Sequence, residues 1–144
     1  MIRVANILTN KGHDVATISQ ERTVRDAVEL LRERGVGALV VTGSTPPLVG
    51  ILSERDVVRA LARHGGEVLG LSVAELMSAD VTTCDEDASV TDIMGLMTSR
   101  RIRHVPVVHE GHLSGLISIG DVVKARLDEL EHERQSLLDY VSAR

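Results

Sequence analysis

Along residues 23–34, TVRDAVELLRER, the apolar side chains Val24, Ala27, Val28, Leu30 and Leu31 recur at the spacing that turns one face of a helix toward a core. Thr23 and Asp26 stand as a capping box at its start, and Gly35 stands where such a helix ends. The period then shortens. VATI (15–18), ALVVT (38–42) and LVGILS (48–53) are apolar runs of strand length, the last two joined by the turn GSTPP, and a second helix is predicted from about Glu54 to His64. The order is strand, helix, strand, strand, helix.

The pattern occurs twice. Residues 23–42 match 89–108 at a constant offset of 66, and 48–60 match 113–125 at an offset of 65 with seven identities in thirteen positions. Upstream, VANIL from Val4 resembles VAELM from Val73 at an offset of 69, so the first copy carries three extra residues around TNKGHD. In the second copy Ser89 and Asp92 supply the cap, and HEGH, with Glu110-Gly111 at its centre, supplies the hairpin turn. The glycines of HGGEVLGLS, 64–72, read as a linker between the copies. One repeat of this size does not cover its own apolar faces; a tandem pair covers them mutually and makes two similar clefts. We therefore expect an α+β protein with repeats over 1–65 and 66–125 and a C-terminal helical extension over 126–144. From Val122 to about Val141 the chain reads as one long helix in which Val123, Leu127, Leu130, Leu137 and Val141 form a stripe, interrupted at Arg134, of the kind used in an intramolecular or subunit contact.

Composition narrows the function. With 21 acidic and 16 basic residues the net charge is −5, which provides no broad electrostatic footprint for nucleic acid. One tyrosine and no phenylalanine or tryptophan leave almost no platform for stacking bases. The apolar run at the start is too short for a signal peptide or a membrane span, so the expected location is the cytoplasm, with no membrane partner. Cys84 is the single cysteine, which excludes an intrachain disulfide and reads as a buried, inert thiol. His109 and His112 flank the hairpin turn and, with Cys84 or His104, raise zinc as an idea; turn histidines facing solvent explain them as well. No Ser-His-Asp set, phosphate-binding Gly-rich loop or acid pair stands out, and the chain does not read as an enzyme.

The repeat also carries a motif. GILSERD, residues 50–56, returns as GLISIGD, residues 115–121. Ser53 and Asp56, like Ser118 and Asp121, have the spacing of a helix cap, and a cap is one reading of both. Gly50 and Gly115 ask for more, because a glycine inside a strand costs about 0.5–1 kcal/mol relative to alanine and points to close approach of another group. A strand ending in serine at a helix N-terminus also presents amides, a hydroxyl and a carboxylate together. That set suits a ribose, whose vicinal hydroxyls donate to a carboxylate.

With RHVPVV before the second motif, the paired G-h-x-S-x-x-D copies and the repeat order resemble a tandem pair of CBS (cystathionine-β-synthase) domains, a Bateman module, over residues 1 to 125. The resemblance implies clefts that take adenosine-containing ligands such as AMP, ATP, NAD(H) or S-adenosylmethionine as regulatory ligands rather than cofactors. It implies Asp56 and Asp121 as ribose ligands beside Ser53 and Ser118. It also implies adenine lying along the short strands that open the repeats, Val15-Ala16-Thr17 and Val81-Thr82-Thr83, with Val15, Thr17, Val81 and Thr83 at the base. Arg103 and His104 fall where the family contacts phosphate, and a guanidinium offers the forked donors a phosphate takes. Arg55 stands in the first motif where the second has Gly120, so the clefts are expected to differ in affinity; Lys11, in the longer first copy, reads first as a solvated lysine and second as a phosphate contact. Modules of this family pair face to face, which implies a homodimer and an unidentified effector protein, with no effector domain fused here. A structural or stress-associated scaffold whose clefts are vestigial or hold a metal is the second reading; nucleotide hydrolysis is the third.

Overall fold

In the computed structural model, which describes residues 1–143, the helix starts are set by the residues the sequence nominates. Thr23 accepts the amide of Asp26 at 3.1 Å and Ser89 accepts that of Asp92 at 3.1 Å, opening α2 (Val24–Arg34) and α5 (Val90–Arg100). The box at Thr23 is only half made, because the Asp26 carboxylate turns to Arg22 Nε at 2.9 Å. Gly35 ends α2 at φ 62, and Arg101, its counterpart at offset 66, holds the same left-handed position at φ 55 after α5.

Strands β1 (Thr17–Ser19), β2 (Ala38–Thr42) and β3 (Gly50–Ser53) form a sheet in the order β1-β2-β3. β1 runs parallel to β2 with Thr17 opposite Val40, and β3 runs antiparallel with Ser53 opposite Ala38. Helix α3 (Glu54–His64) follows directly, as predicted. In the second repeat β4 (His104–His109) and β5 (His112–Ser118) form a hairpin. Its Glu110-Gly111 turn has φ 50 and 79, the paired left-handed geometry of a two-residue hairpin loop.

Three expectations are corrected. Val81-Thr82-Thr83 is not a strand: pairing shrinks to one bridge, Cys84 with Val107. In the first repeat Val40 donates its amide to Ala16 at 3.0 Å, and the residue aligned with Val40 is Pro106, which has no N–H to give. The stretch read as a linker is instead packed. Residues Gly65–Gly70 form a 3-10 helix with Val68 fully buried, leading into α4 (Val73–Leu76). The third correction concerns α6 (Ile119–Ser142): its buried residues are Val122, Ala125 and Glu129, and the predicted stripe faces outward, with Leu127 61% and Leu137 65% exposed. That rules out the intramolecular role for the stripe. No helix among the described residues is long and apolar enough to cross a membrane.

One helix was not anticipated: α1 (Val4–Lys11). It explains how each repeat is completed, because the chain folds into two compact units that are not successive halves. In one unit, residues 1–13 join 84–107 and the segment from 114 onward, around Val4, Leu8, Val90, Ile93, Val105, Ile117 and Val122. The other unit takes residues 14–83 with 108–113, around Val24, Ala27, Leu39, Val41, Leu52, Val68 and Val73. Each thus contains the short helix, α1 or α4, that precedes the other repeat in sequence. The seams correspond: Val4 donates to Ala88 and Val90 to Ile2, while Val73 donates to Arg22 and Val24 to Leu71, all at 2.8–3.0 Å.

The motif glycines make this completion fit. A Cβ on Gly115 would lie 2.5 Å from Leu8 Cδ2, and one on Gly50 would lie 2.5 Å from Met77 Sδ. Leu8 and Met77 are counterparts at offset 69, so corresponding side chains approach the two strand glycines, Leu8 from the middle of α1 and Met77 from the C-cap of α4, with the Ser78 carbonyl 2.9 Å from a Cβ on Gly50 as well. Gly115→Ala is expected to cost about 1–3 kcal/mol by overpacking and Leu8→Ala about 2–5 kcal/mol by leaving a cavity. The added methyl fits the space Leu8 vacates, so in urea denaturation the double variant should lose less than the sum by about 1 kcal/mol or more. Additive losses would show that the two positions do not share space.

Candidate functional site

Both motifs form complete capping boxes. Ser53 donates its amide to Asp56 Oδ2 at 2.9 Å and its hydroxyl accepts the Asp56 amide at 3.2 Å; Ser118 and Asp121 repeat these distances. The cap reading is therefore correct for both. It does not exhaust the carboxylates: among the described residues no side chain or amide donates to Oδ1 of either aspartate. Each aspartate is half-buried in the first turn of its helix beside a serine hydroxyl, and two of the first three amides there are already taken, one by a main-chain carbonyl and one by that serine.

The two motifs differ in what surrounds them. Lys11, the last residue of α1, places its ammonium 2.6 Å from Asp121 Oδ2 and 2.6 Å from the Leu116 carbonyl. Burial pushes the Asp121 carboxyl up, but the Lys11 ammonium and the Ser118 amide outweigh it and hold the group below its ordinary 3.8. Asp121 and Lys11 sit at one end of a 720 Å³ groove between α1 and α6, which Asn6, Asn10, Lys124 and Asp128 also line. Asp56 has no ion-pair partner among the described residues, and Arg55 beside it is exposed.

Ser53 and Thr17 belong to one sheet, with Arg55 and Asp56 in the helix that follows Ser53: Thr17 is the exposed first residue of β1, and β2 lies between it and the strand that ends at Ser53. Val15 precedes that strand and is half-buried. Val81 is half-buried and Thr83 exposed, both outside regular structure. The main chain before β4 is fixed against the second motif, the Arg103 carbonyl accepting the Ile119 amide at 2.8 Å just as Gly37 accepts that of Glu54 at 2.9 Å. The Arg103 side chain is exposed and lines a 540 Å³ surface groove with Gly120, Lys124 and Asp128; half-buried His104 begins β4.

Lys11 as the partner of Asp121 was missed by sequence reasoning: the match of VANIL to VAELM makes the two segments counterparts but does not say which repeat each one packs on. Among the described residues no three His, Cys, Asp or Glu side chains lie close enough to hold a metal ion. Burial, reinforced by the charge of Asp85, pushes the Cys84 thiol up to about 12, which keeps it protonated and unreactive at neutral pH.

Comparison with known proteins places this architecture. The CBS domain matches residues 4–63 and again 73–128. The CBS-domain containing protein ATU1752 from Agrobacterium tumefaciens superposes with a TM-score of 0.83 at 41% identity, covering 86% of this chain and 92% of that one. The mitochondrial CBS domain-containing protein CBSX3 of Arabidopsis thaliana is 34% identical over 96% of this chain and 71% of its own length. The CBS domain pair of protein MJ0100, solved in complex with 5′-methylthioadenosine and S-adenosyl-L-methionine, shares the fold with a TM-score of 0.74 at 22% identity, over 90% of this chain and 98% of that one. Two repeats of one α+β unit, each ending in a Ser-capped helix, define a tandem-repeat module. The chain belongs to the CBS domain family and contains two copies of the domain.

The charge state of Asp121 has a measurable consequence. Its folded pKa lies below the unfolded one, so its contribution to stability is fully present above the ordinary value of 3.8 and is lost as pH falls through the folded value. For this partly exposed pair the advantage of wild type over Asp121→Asn should be about 1 kcal/mol or less near neutrality. In denaturation curves it should hold constant down to about pH 4.5 and shrink below about pH 4. A difference that grew on acidification would contradict the assignment.

Proposed function

We propose that this chain is a regulatory module that binds adenine nucleotides, of the AMP/ATP or NAD(H) class, at the two capped motifs and signals occupancy through conformation or partner binding. The observation that carries this reading is the duplicated carboxylate whose Oδ1 accepts no hydrogen bond among the described residues while Oδ2 is fixed by the cap. A ribose supplies vicinal hydroxyls to such an oxygen, and the adjacent serine hydroxyl adds a second polar group to the seat. The aliphatic composition suits an adenine held between apolar side chains and read by backbone groups; Val15, Thr17, Val81 and Thr83 are the residues proposed to do so. Arg55 in the first site and Arg103 and His104 in the second are proposed to meet phosphate. The MJ0100 domain pair, with its two adenosine derivatives, offers a precedent for the fold.

Calorimetric titration with AMP, ATP, NADH and S-adenosylmethionine tests the reading. At least one is expected to bind with a Kd below about 1 mM, a threshold near −4 kcal/mol. Asp56→Asn and Asp121→Asn, which keep an oxygen for the serine amide, should each remove one site and lower affinity there about tenfold or more. Absence of binding by all four ligands would falsify the nucleotide reading.

The outward apolar face of α6, with Val123, Leu127 and Leu130, and Val58 on α3 support the proposal of a homodimer. Leu127→Glu should convert the dimer to monomer in sedimentation equilibrium while leaving the melting of the monomer fold unchanged within a few degrees, because Leu127 is 61% exposed within the chain. A wild type that sediments as a monomer at any concentration would remove the dimer from the proposal.

A further inference from the structure

Lys11 ends α1 and is followed by Gly12 at φ 102, after which His13 places Nδ1 2.8 Å from the Ser114 carbonyl. Ser114 and Leu116 are alternate residues of β5, so their carbonyls face one edge, and Lys11 and His13 cover that edge with side chains. In the first repeat the same edge is closed by main chain. Ile51, the counterpart of Leu116, accepts from Ser78 at 2.9 Å and donates to it at 3.0 Å. The difference leaves an ammonium on the motif carboxylate in the second repeat, whereas in the first repeat α4 ends at Leu76 and no ion pair to Asp56 forms among the described residues.

We propose that Lys11 makes the Asp121 site selective for adenosine ligands that carry a phosphate over those that do not. This rests on the nucleotide reading of the motif. A ribose without a phosphate takes Oδ1 of a carboxylate whose charge the Lys11 ammonium at Oδ2 already offsets, so it is held less tightly than by a free carboxylate. A phosphorylated ligand gives the same ammonium a second anion, so the pair opens without loss of a charged contact. The Lys11 side chain is 37% exposed, and its head exchanges partners without unpacking the core. Gly120 contributes no cation from within this motif, where Arg55 stands in the other. Lys124 and Asp128 line the same groove as opposite charges. Lys11 is therefore the cation held in direct contact with the ribose carboxylate.

The test isolates the second site with Asp56→Asn in the full chain and titrates AMP against adenosine. With Lys11 present AMP should bind about tenfold or more tighter than adenosine. Adding Lys11→Met should lower the ratio about threefold or more, through weaker AMP binding and tighter adenosine binding, with the remainder left to Arg103 and His104, and Lys11→Arg should preserve it. The gain in adenosine affinity is the signature of a freed carboxylate, which loss of a simple phosphate contact does not produce. Lys11→Gln, which still donates to the Leu116 carbonyl, should reproduce the effect and serves if Lys11→Met melts early. An unchanged ratio, or equal weakening of both ligands, overturns the role of Lys11 while the nucleotide reading stands. No binding of either ligand to any of these chains overturns both.

Discussion

The contact of Leu8 with Gly115, repeated by Met77 with Gly50, is the constraint on which the rest of the structure depends. Each repeat lacks one side of its core, and the missing side is supplied by a short helix that precedes the other repeat in sequence. A methyl group on either strand glycine would occupy the place of the incoming side chain. The glycine that heads each motif is thus explained by packing; three residues further along the same strand ends at the serine, and the aspartate follows in the first turn of the next helix. Fold and candidate site share one strand, so the position of the carboxylate is set by how the short helix seats.

Once seated, the two short helices end differently, and the chemistry of the two motifs diverges there. After Met77 the chain pairs Ser78 with Ile51 by main-chain bonds. After Leu8 it continues for another turn and brings Lys11 onto Asp121. The common geometry of Ser118 with Asp121 and Ser53 with Asp56 comes from the capping box, which fixes one carboxylate oxygen and leaves the other outward. The unequal charge comes from a tertiary contact over a sequence separation of 110 residues.

Much of this was legible from local pattern. The limits of α3, the start of α2 and α5, the left-handed hairpin turn and both caps follow from residues within a few positions of one another. The tandem repeat followed from two offsets. What failed did so where a distant residue decided the outcome. Val81-Thr82-Thr83 has the apolar and β-branched character of a strand, yet Pro106 removes the amide that its counterpart Val40 supplies. The glycines of 64–72 suggested a linker, yet Val68 is wholly buried. On α6 the stripe beginning at Val123 has good periodicity, but Val122, Ala125 and Glu129 face the chain. Glu129 is held there by the Ile2 amide at 2.7 Å and by Arg126, which together place a carboxylate where periodicity expected leucine.

By itself the sequence determined the repeat, its element order and the two Ser-x-x-Asp motifs, because capping, turn chemistry and apolar period act over a few residues. Only the tertiary structure decided which short helix completes which repeat, that the motif glycines admit Leu8 and Met77, and that Lys11 neutralises Asp121 while Asp56 has no such partner among the described residues. Those outcomes depend on side-chain volume and charge meeting across the fold, and no local spacing encodes such a meeting.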